Sequence, residues 1–213
     1  MPYRDELETA LVERERLALA DLSTPRAVQD FLDGCAYSSD PFYRCPLRVL
    51  RERRAHCFDG ALFAAAALRR LGHPPRLLDL LSDGRDDEHL LALFKADGRW
   101  GAVAMSNFSG LRYREPVYAS VRELAMSYFE PYYNLARERT LVGYTGPLSL
   151  APFDRLHWTV SDEHLERIAE RTEQVRRIEL ITPAMHGRLT PVDERSYRAG
   201  LLGSDVAGLF QPD

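Results

Sequence analysis

Cysteine is scarce in this chain, and its spacing builds no framework. The three cysteines among 213 residues, Cys35, Cys45 and Cys57, are an odd number with no C-x-x-C pair. That argues against a disulfide scaffold or a zinc knuckle and for reduced thiols. Long hydrophobic runs are lacking as well. The longest, Ala61 to Leu68, falls far short of the roughly 20 residues that span a bilayer, and Met1 to Glu6 turns acidic with no apolar signal core. An excess of positive charge is also absent: 28 Lys and Arg against 32 Asp and Glu leave a net charge of -4. Nucleic acid, which needs a basic face, is therefore not an expected partner. Basic runs such as Arg51-Glu52-Arg53-Arg54 are interrupted by acids and read as solvated surface. Together these absences predict a cytoplasmic protein with no membrane or nucleic-acid partner, no metal and no cofactor.

What is there is an ordinary globular mixture, 45% hydrophobic and 28% charged, with no repeat, low-complexity block or linker. One domain over 1–213 is expected: N-terminal helices over 1–54, a central segment over 55–110, and a continuation of the sheet with a C-terminal extension over 111–213. Asp5 to about Ala20 reads as an amphipathic helix with Leu7, Leu11, Val12 and Leu17 near one face. Ser23-Thr24-Pro25 caps a second helix that Gly34 stops. A short helix from Pro46 to Arg53 leads into Cys57, where an alanine-rich helix begins and runs to Leu71-Gly72 before Pro74-Pro75.

Three strand-like segments follow: Arg76 to Leu81, His89 to Lys95, and Trp100 to Ser106. Asp97-Gly98 joins the last two and is a strong hairpin signal. A helix followed by an antiparallel meander predicts an α+β fold. Leu111 to Tyr118 alternates like a further strand, and Ser120-Val121-Arg122-Glu123 opens a helix to about Glu130. Ser161 is expected to cap a helix over Asp162 to Arg171, and Thr190 to Asp193 another. Gly203 to Asp213 reads as a loose tail.

Chemistry concentrates at Cys57. A thiol at a helix start lies in the positive field of the N-terminus, which favours thiolate. A two-residue turn at Asp97-Gly98 sets Ala96 opposite Arg99, a register that places His89 across from Ser106 with Asn107 one step beyond. Cross-strand Cβ atoms are about 4.5–5.5 Å apart, so either residue can reach the imidazole. A one-residue slip reverses faces, and the sequence does not choose between them. An amide oxygen at Asn107 would fix the ring tautomer, and a Ser106 hydroxyl would do so less rigidly. Cys35 and Cys45 lack such a context and read as structural. His73, His157, His164 and His186 read as surface or satisfied core, and His56 points about 100° away around a helix.

The order of these residues resembles the transglutaminase-like superfamily, whose members share a papain-like core and a Cys-His-Asp triad. His56-Cys57-Phe58-Asp59-Gly60-Ala61 resembles the cysteine motif of bacterial members. Gly72-His73-Pro74-Pro75-Arg76 is similar to their G-I-P-A-R segment, and Trp100 matches the tryptophan before the third triad member. The resemblance covers about Tyr43 to Asn107. It departs at Ala55, where glycine is usual, and at Leu91, where an aromatic is usual. No aspartate ends the Trp100 strand, which reads Ala104-Met105-Ser106-Asn107.

The resemblance implies a papain/transglutaminase-like core in which the helix carrying Cys57 packs on an antiparallel meander. It implies thiol-dependent acyl transfer or amide hydrolysis through Cys57, His89 and Asn107, with Ser106 as the other third partner and Asp59 and Trp100 shaping the site. The substrate would be a protein, a peptide or a small amide. The lost carboxylate leaves a second expectation, an inactive fold of this type serving as a binding or scaffold module.

Overall fold

The computed structural model describes residues 6–210. Asp5, where the predicted first helix starts, and the last three residues of the predicted tail lie outside them. The first elements are α1 (Glu6–Ala10), α2 (Glu13–Ala20) and α3 (Pro25–Asp33), then β1 (Ala36–Tyr37), α4 (Pro46–Glu52) and β2 (Arg54–Ala55). The long helix α5 (Cys57–Arg70) precedes β3 (Arg76–Ser82), β4 (His89–Ala96), β5 (Arg99–Val103) and β6 (Arg114–Tyr118). Beyond them come α6 (Val121–Met126), β7 (Leu141–Thr145), β8 (Leu148–Ser149), α7 (Glu166–Glu173), β9 (Arg177–Glu179), α8 (Pro183–His186) and α9 (Glu194–Gly200).

The fold is α+β. The main sheet runs in the order β6-β5-β4-β3-β7-β9, with β8 also on β3, and every pairing in it is antiparallel. Asp97 and Gly98 both have positive φ, 49° and 76°, the requirement of the tight turn that matches strand twist. The β4–β5 ladder then runs from Ala96–Arg99 to Ala92–Val103, the register expected from the sequence.

Both faces of the sheet are covered, which explains why Arg76–Ser82 reads as a nearly continuous apolar run rather than an alternating one. Leu77, Leu90, Ala92 and Phe94 face α5, while Leu78, Leu80, Leu91 and Leu93 face a second cluster around Leu124, Tyr128 and Tyr132. Helix α5 is buried on all sides, with eleven of its fourteen residues inaccessible, so it is the central element rather than a surface helix. Phe63 stacks on Phe31 of α3 at 4.5 Å between ring centroids.

Several elements differ from expectation for identifiable reasons. The N-terminal helix is broken at Leu11-Val12, where Val12 becomes the N-cap and its N–H donates to the Glu15 carboxylate. As a result Leu7 and Leu11 are buried while Val12 and Leu17 are exposed. Strand β5 stops at Val103 because the Gln29 side chain takes both the N–H and the carbonyl of Ala104, at 3.0 and 2.9 Å, where another strand would bond. Helix α7 starts at Glu166 rather than Asp162. Asp162 instead accepts from the Cys45 N–H and the Arg48 guanidinium, both at 2.7 Å, and so ties this segment to the start of α4.

Gly60 marks a close approach of α5 to the segment that follows β5, since a Cβ there would sit 2.2 Å from Cβ of Met105. Alanine in a helix interior is ordinarily favoured over glycine by about 1 kcal/mol. Overpacking costs about 1–3 kcal/mol and should win. Gly60→Ala is expected to lower the urea unfolding free energy, and unchanged or increased stability would show that the helix and this segment are not in tight contact.

Candidate active site

The local chain builds the helix start in three steps. Arg53 ends α4 in the left-handed region, at φ 52°. The chain then turns into β2, which pairs in parallel with β1 and sets Tyr37 beside Ala55. His56 follows as the N-cap of α5, its Nδ1 accepting from the N–H groups of Phe58 and Asp59 at 3.1 and 3.4 Å. Reciprocally, the Asp59 carboxylate accepts from the His56 N–H at 3.4 Å and from the Arg44 N–H at 2.7 Å. Asp59 therefore anchors the loop that precedes α5. Burial pushes its carboxyl up to about 7, against the pull of those N–H groups and of Arg44.

Cys57 is the first residue of α5, and its backbone N–H has no hydrogen-bond partner among the described residues. Its thiol does not behave as the helix-start position predicts. Burial, and then the charges of Asp87 and Asp79, push it up to about 12. The nearby Leu90 N–H acts the other way and is outweighed. Cys35 and Cys45 are also raised by burial, to about 11 and about 12, so a low pKa does not single out Cys57. All three cysteines are free of disulfides.

His89 opens β4 and is buried. Its ring lies on the Leu91 side of the strand, near Tyr128 with ring centroids 6.5 Å apart. Its Nε2 is 2.7 Å from the carbonyl oxygen of Leu111. A carbonyl only accepts, so Nε2 carries the proton and Nδ1 keeps a free lone pair. Burial, with a smaller push from Arg114, lowers the imidazole to about 4, so the ring is neutral near pH 7.

Cys57, His89, Ser106 and Asn107 all line one small cavity of about 40 Å³. The structure thus gathers the four predicted residues, but it corrects the role of two. Asn107 does not orient His89. Its amide nitrogen donates to the carbonyl of Asp205, and its amide oxygen accepts from the N–H of the same residue, both at 2.7 Å. Ser106 Oγ accepts from the Phe108 N–H at 3.1 Å. Because β5 has already ended, the extrapolated His89–Ser106 pairing is not part of the ladder. Trp100 is corrected too: it sits at the turn end of β5 with the Lys95 ammonium 4.2 Å over its ring, and it lines neither cavity at Cys57.

A larger cleft of about 420 Å³ also reaches Cys57. Tyr37, Tyr43, Asp79 and Glu88 line it, and residues 207–210 border it. The described part of the expected loose tail, 203–210, is thus tied down. Asp205 is held by Asn107, and a Cβ at Gly208 would meet the Tyr37 ring at 2.5 Å. Asp79 stands out. It is 3% exposed in the middle of β3, and its Oδ1 has no hydrogen-bond partner among the described residues. Burial and the adjoining Glu88 carboxyl hold it well above the usual carboxylate range.

Sequence reasoning missed Tyr37, Asp79, the Leu111 carbonyl and the tail. Only Asp79 carried a readable signal, a single acid inside the run Leu77 to Leu81. The Arg112–Arg114 segment, in contrast, is structural. Arg114 stacks on Tyr128 at 3.8 Å, and Arg112 pairs with Asp33 at 3.2 Å.

No family profile and no curated protein matches this chain. Among solved structures it is similar to a candidate cysteine protease from Cytophaga hutchinsonii, at 19% identity and a TM-score of 0.39. That match covers 53% of this chain and 43% of the other, so the chain spans less than half that protein's length. It is also similar to calcium-bound Legionella pneumophila LapG, at 15% identity and a TM-score of 0.41 over 71% of this chain and 93% of that one. Another LapG structure gives 14% and 0.39 over 71% and 92%. No helix among the described residues is long and apolar enough to cross a membrane.

Two expectations follow from this geometry. Asn107→Ala should speed hydrogen exchange at the Asp205 amide while leaving the Nε2–H tautomer of His89 unchanged in ¹⁵N NMR. Loss of that tautomer would return the orienting role to Asn107. For Asp79 the sign follows from its raised native pKa: above about pH 4 the native state holds a proton that the unfolded state has released. Stability from this group is full below that pH and is lost as pH rises through the native pKa. The stability of Asp79→Asn relative to wild type should therefore increase with pH, by up to about 1.4 kcal/mol per unit. A constant difference between pH 4 and 8 would show that Asp79 ionises normally.

Proposed function

We propose that this protein is a papain/transglutaminase-like thiol enzyme that transfers or hydrolyses acyl groups through Cys57 and His89. The observation that carries the reading is the fixed tautomer of His89. With Nε2–H committed to the Leu111 carbonyl, Nδ1 is the only ring nitrogen able to take a proton, and it belongs to a ring lining the same small cavity as the thiol. In this mechanism the Cys57 thiol attacks an amide or ester carbonyl as His89 Nδ1 takes its proton, and the imidazolium then protonates the leaving group. The unpartnered N–H of Cys57 at the helix start receives the oxyanion.

A backbone carbonyl occupies the place of the third triad member, and it carries no net charge to stabilise imidazolium. Together with the high thiol pKa and the low imidazole pKa, this disfavours a resting thiolate–imidazolium pair, so proton transfer accompanies attack. The free thiols suit a reducing compartment such as the cytoplasm. The acyl donor is a protein, a peptide or a small amide, and the acceptor is water or an amine. The same two pKa directions favour a second reading, a catalytically silent binding module.

The test is acylation by p-nitrophenyl acetate followed by intact and peptide mass analysis. An acetyl adduct is expected on Cys57, absent in Cys57→Ala and formed at least about tenfold more slowly in His89→Gln, a lower bound for losing a general base. Acetylation spread evenly over Cys35, Cys45 and Cys57, or independent of His89, would establish the binding-module reading.

A further inference from the structure

We propose that the cleft beside Cys57 is a guanidinium subsite, in which Asp79 and Glu88 receive an arginine side chain of the substrate. The proposal rests on the acyl-transfer reading and adds the substrate class. Three observations carry it. First, Asp79 is 97% buried on the face of β3 that looks toward α5, lines the cleft with Cys57, and has an Oδ1 with no partner among the described residues. A buried polar atom left unsatisfied costs about 1–3 kcal/mol, a cost that a bound donor removes. Second, Glu88 adjoins Asp79, and the exposed Arg177, which also pulls on the Asp79 carboxyl, comes no closer than 3.5 Å to Glu88. Third, the remaining charged residues along the cleft, Asp40, Asp87 and Glu173, are all acidic. Asp40 already pairs with Arg44.

Guanidinium fits these features better than an alkylammonium. It is a planar fork with five donors that can serve two adjoining carboxyl groups at once. The Tyr37 and Tyr43 rings bordering the cleft offer surfaces on which that plane can stack. A cation there also offsets the acidic charges that oppose ionisation of Cys57. Correct substrate therefore eases formation of the nucleophile, and an uncharged one does not.

The experiment compares three chloroacetamides as alkylators of Cys57 in the full chain: that of agmatine, that of its uncharged urea isostere, and that of cadaverine. Labelling is read by peptide mass spectrometry against Cys35 and Cys45. The agmatine probe is expected to label Cys57 at least about tenfold faster than the urea probe, equivalent to about 1.4 kcal/mol, with the cadaverine probe between them. Asp79→Asn and Glu88→Gln should each shrink that ratio to about threefold or less while retaining the wild-type circular dichroism spectrum. Equal rates for the agmatine and urea probes in the wild type would overturn the subsite. If both are equal yet depend on His89, the acyl-transfer reading stands and only the subsite falls. If no probe prefers Cys57, calorimetric titration of agmatine into Cys57→Ala decides the subsite alone. Binding that Asp79→Asn abolishes would support it, and absence of binding would overturn it.

Discussion

The close packing of α5 against the β4–β5 hairpin is the constraint on which the site depends. Gly60 lets the helix backbone approach Met105 to a distance at which no side chain fits between them. That contact fixes where the helix begins relative to the start of β4, and hence where Cys57 lies relative to His89. The end is sharpened from the other side by the His56 cap and the Asp59 anchor, which leave one free backbone N–H at Cys57 itself. The same packing that stabilises the core thus places a thiol and an imidazole around one small space.

Electrostatics at this space run against the usual picture of a thiol enzyme. A helix N-terminus contributes a few tenths of a kcal/mol to about 2 kcal/mol toward an anion. Here desolvation and two nearby carboxyl groups are larger, and the thiol rises rather than falls. The imidazole, buried near Tyr128, falls, although its bond to the Leu111 carbonyl pulls the other way. A protein built this way keeps its thiol protonated at rest. On the proposed reading its reactivity depends on what enters the cleft, so the acidic wall containing Asp79 bears on the chemistry as well as on binding.

Much of the fold was legible in the sequence because local signals determined it. Asp97-Gly98 set the hairpin and its register, Thr24-Pro25 and Gly34 bounded α3, and the alanine-rich run after Cys57 set α5. The nearness of Cys57 and His89 was legible because one starts α5 and the other starts β4 of the meander that follows it. The group that holds the His89 ring was missed because it is a backbone carbonyl in a short turn at Leu111, and a carbonyl has no residue identity to read. Asn107 had the right chemistry and the right place, but a segment almost one hundred residues later claimed its amide. The true end of β5 was hidden for a similar reason: a side chain from α3, Gln29, ends the strand. Such long-range captures leave no periodic trace.

The central claim is that His89 acts as a neutral base on a protonated thiol. It is tested most directly by the pH dependence of Cys57 acylation by p-nitrophenyl acetate. With His89 as base, the rate should rise near the low imidazole pKa of about 4 and then run level through neutrality, and His89→Gln should abolish the plateau. A rate that climbs tenfold per pH unit through neutrality, following free thiolate and identical in His89→Gln, would contradict it.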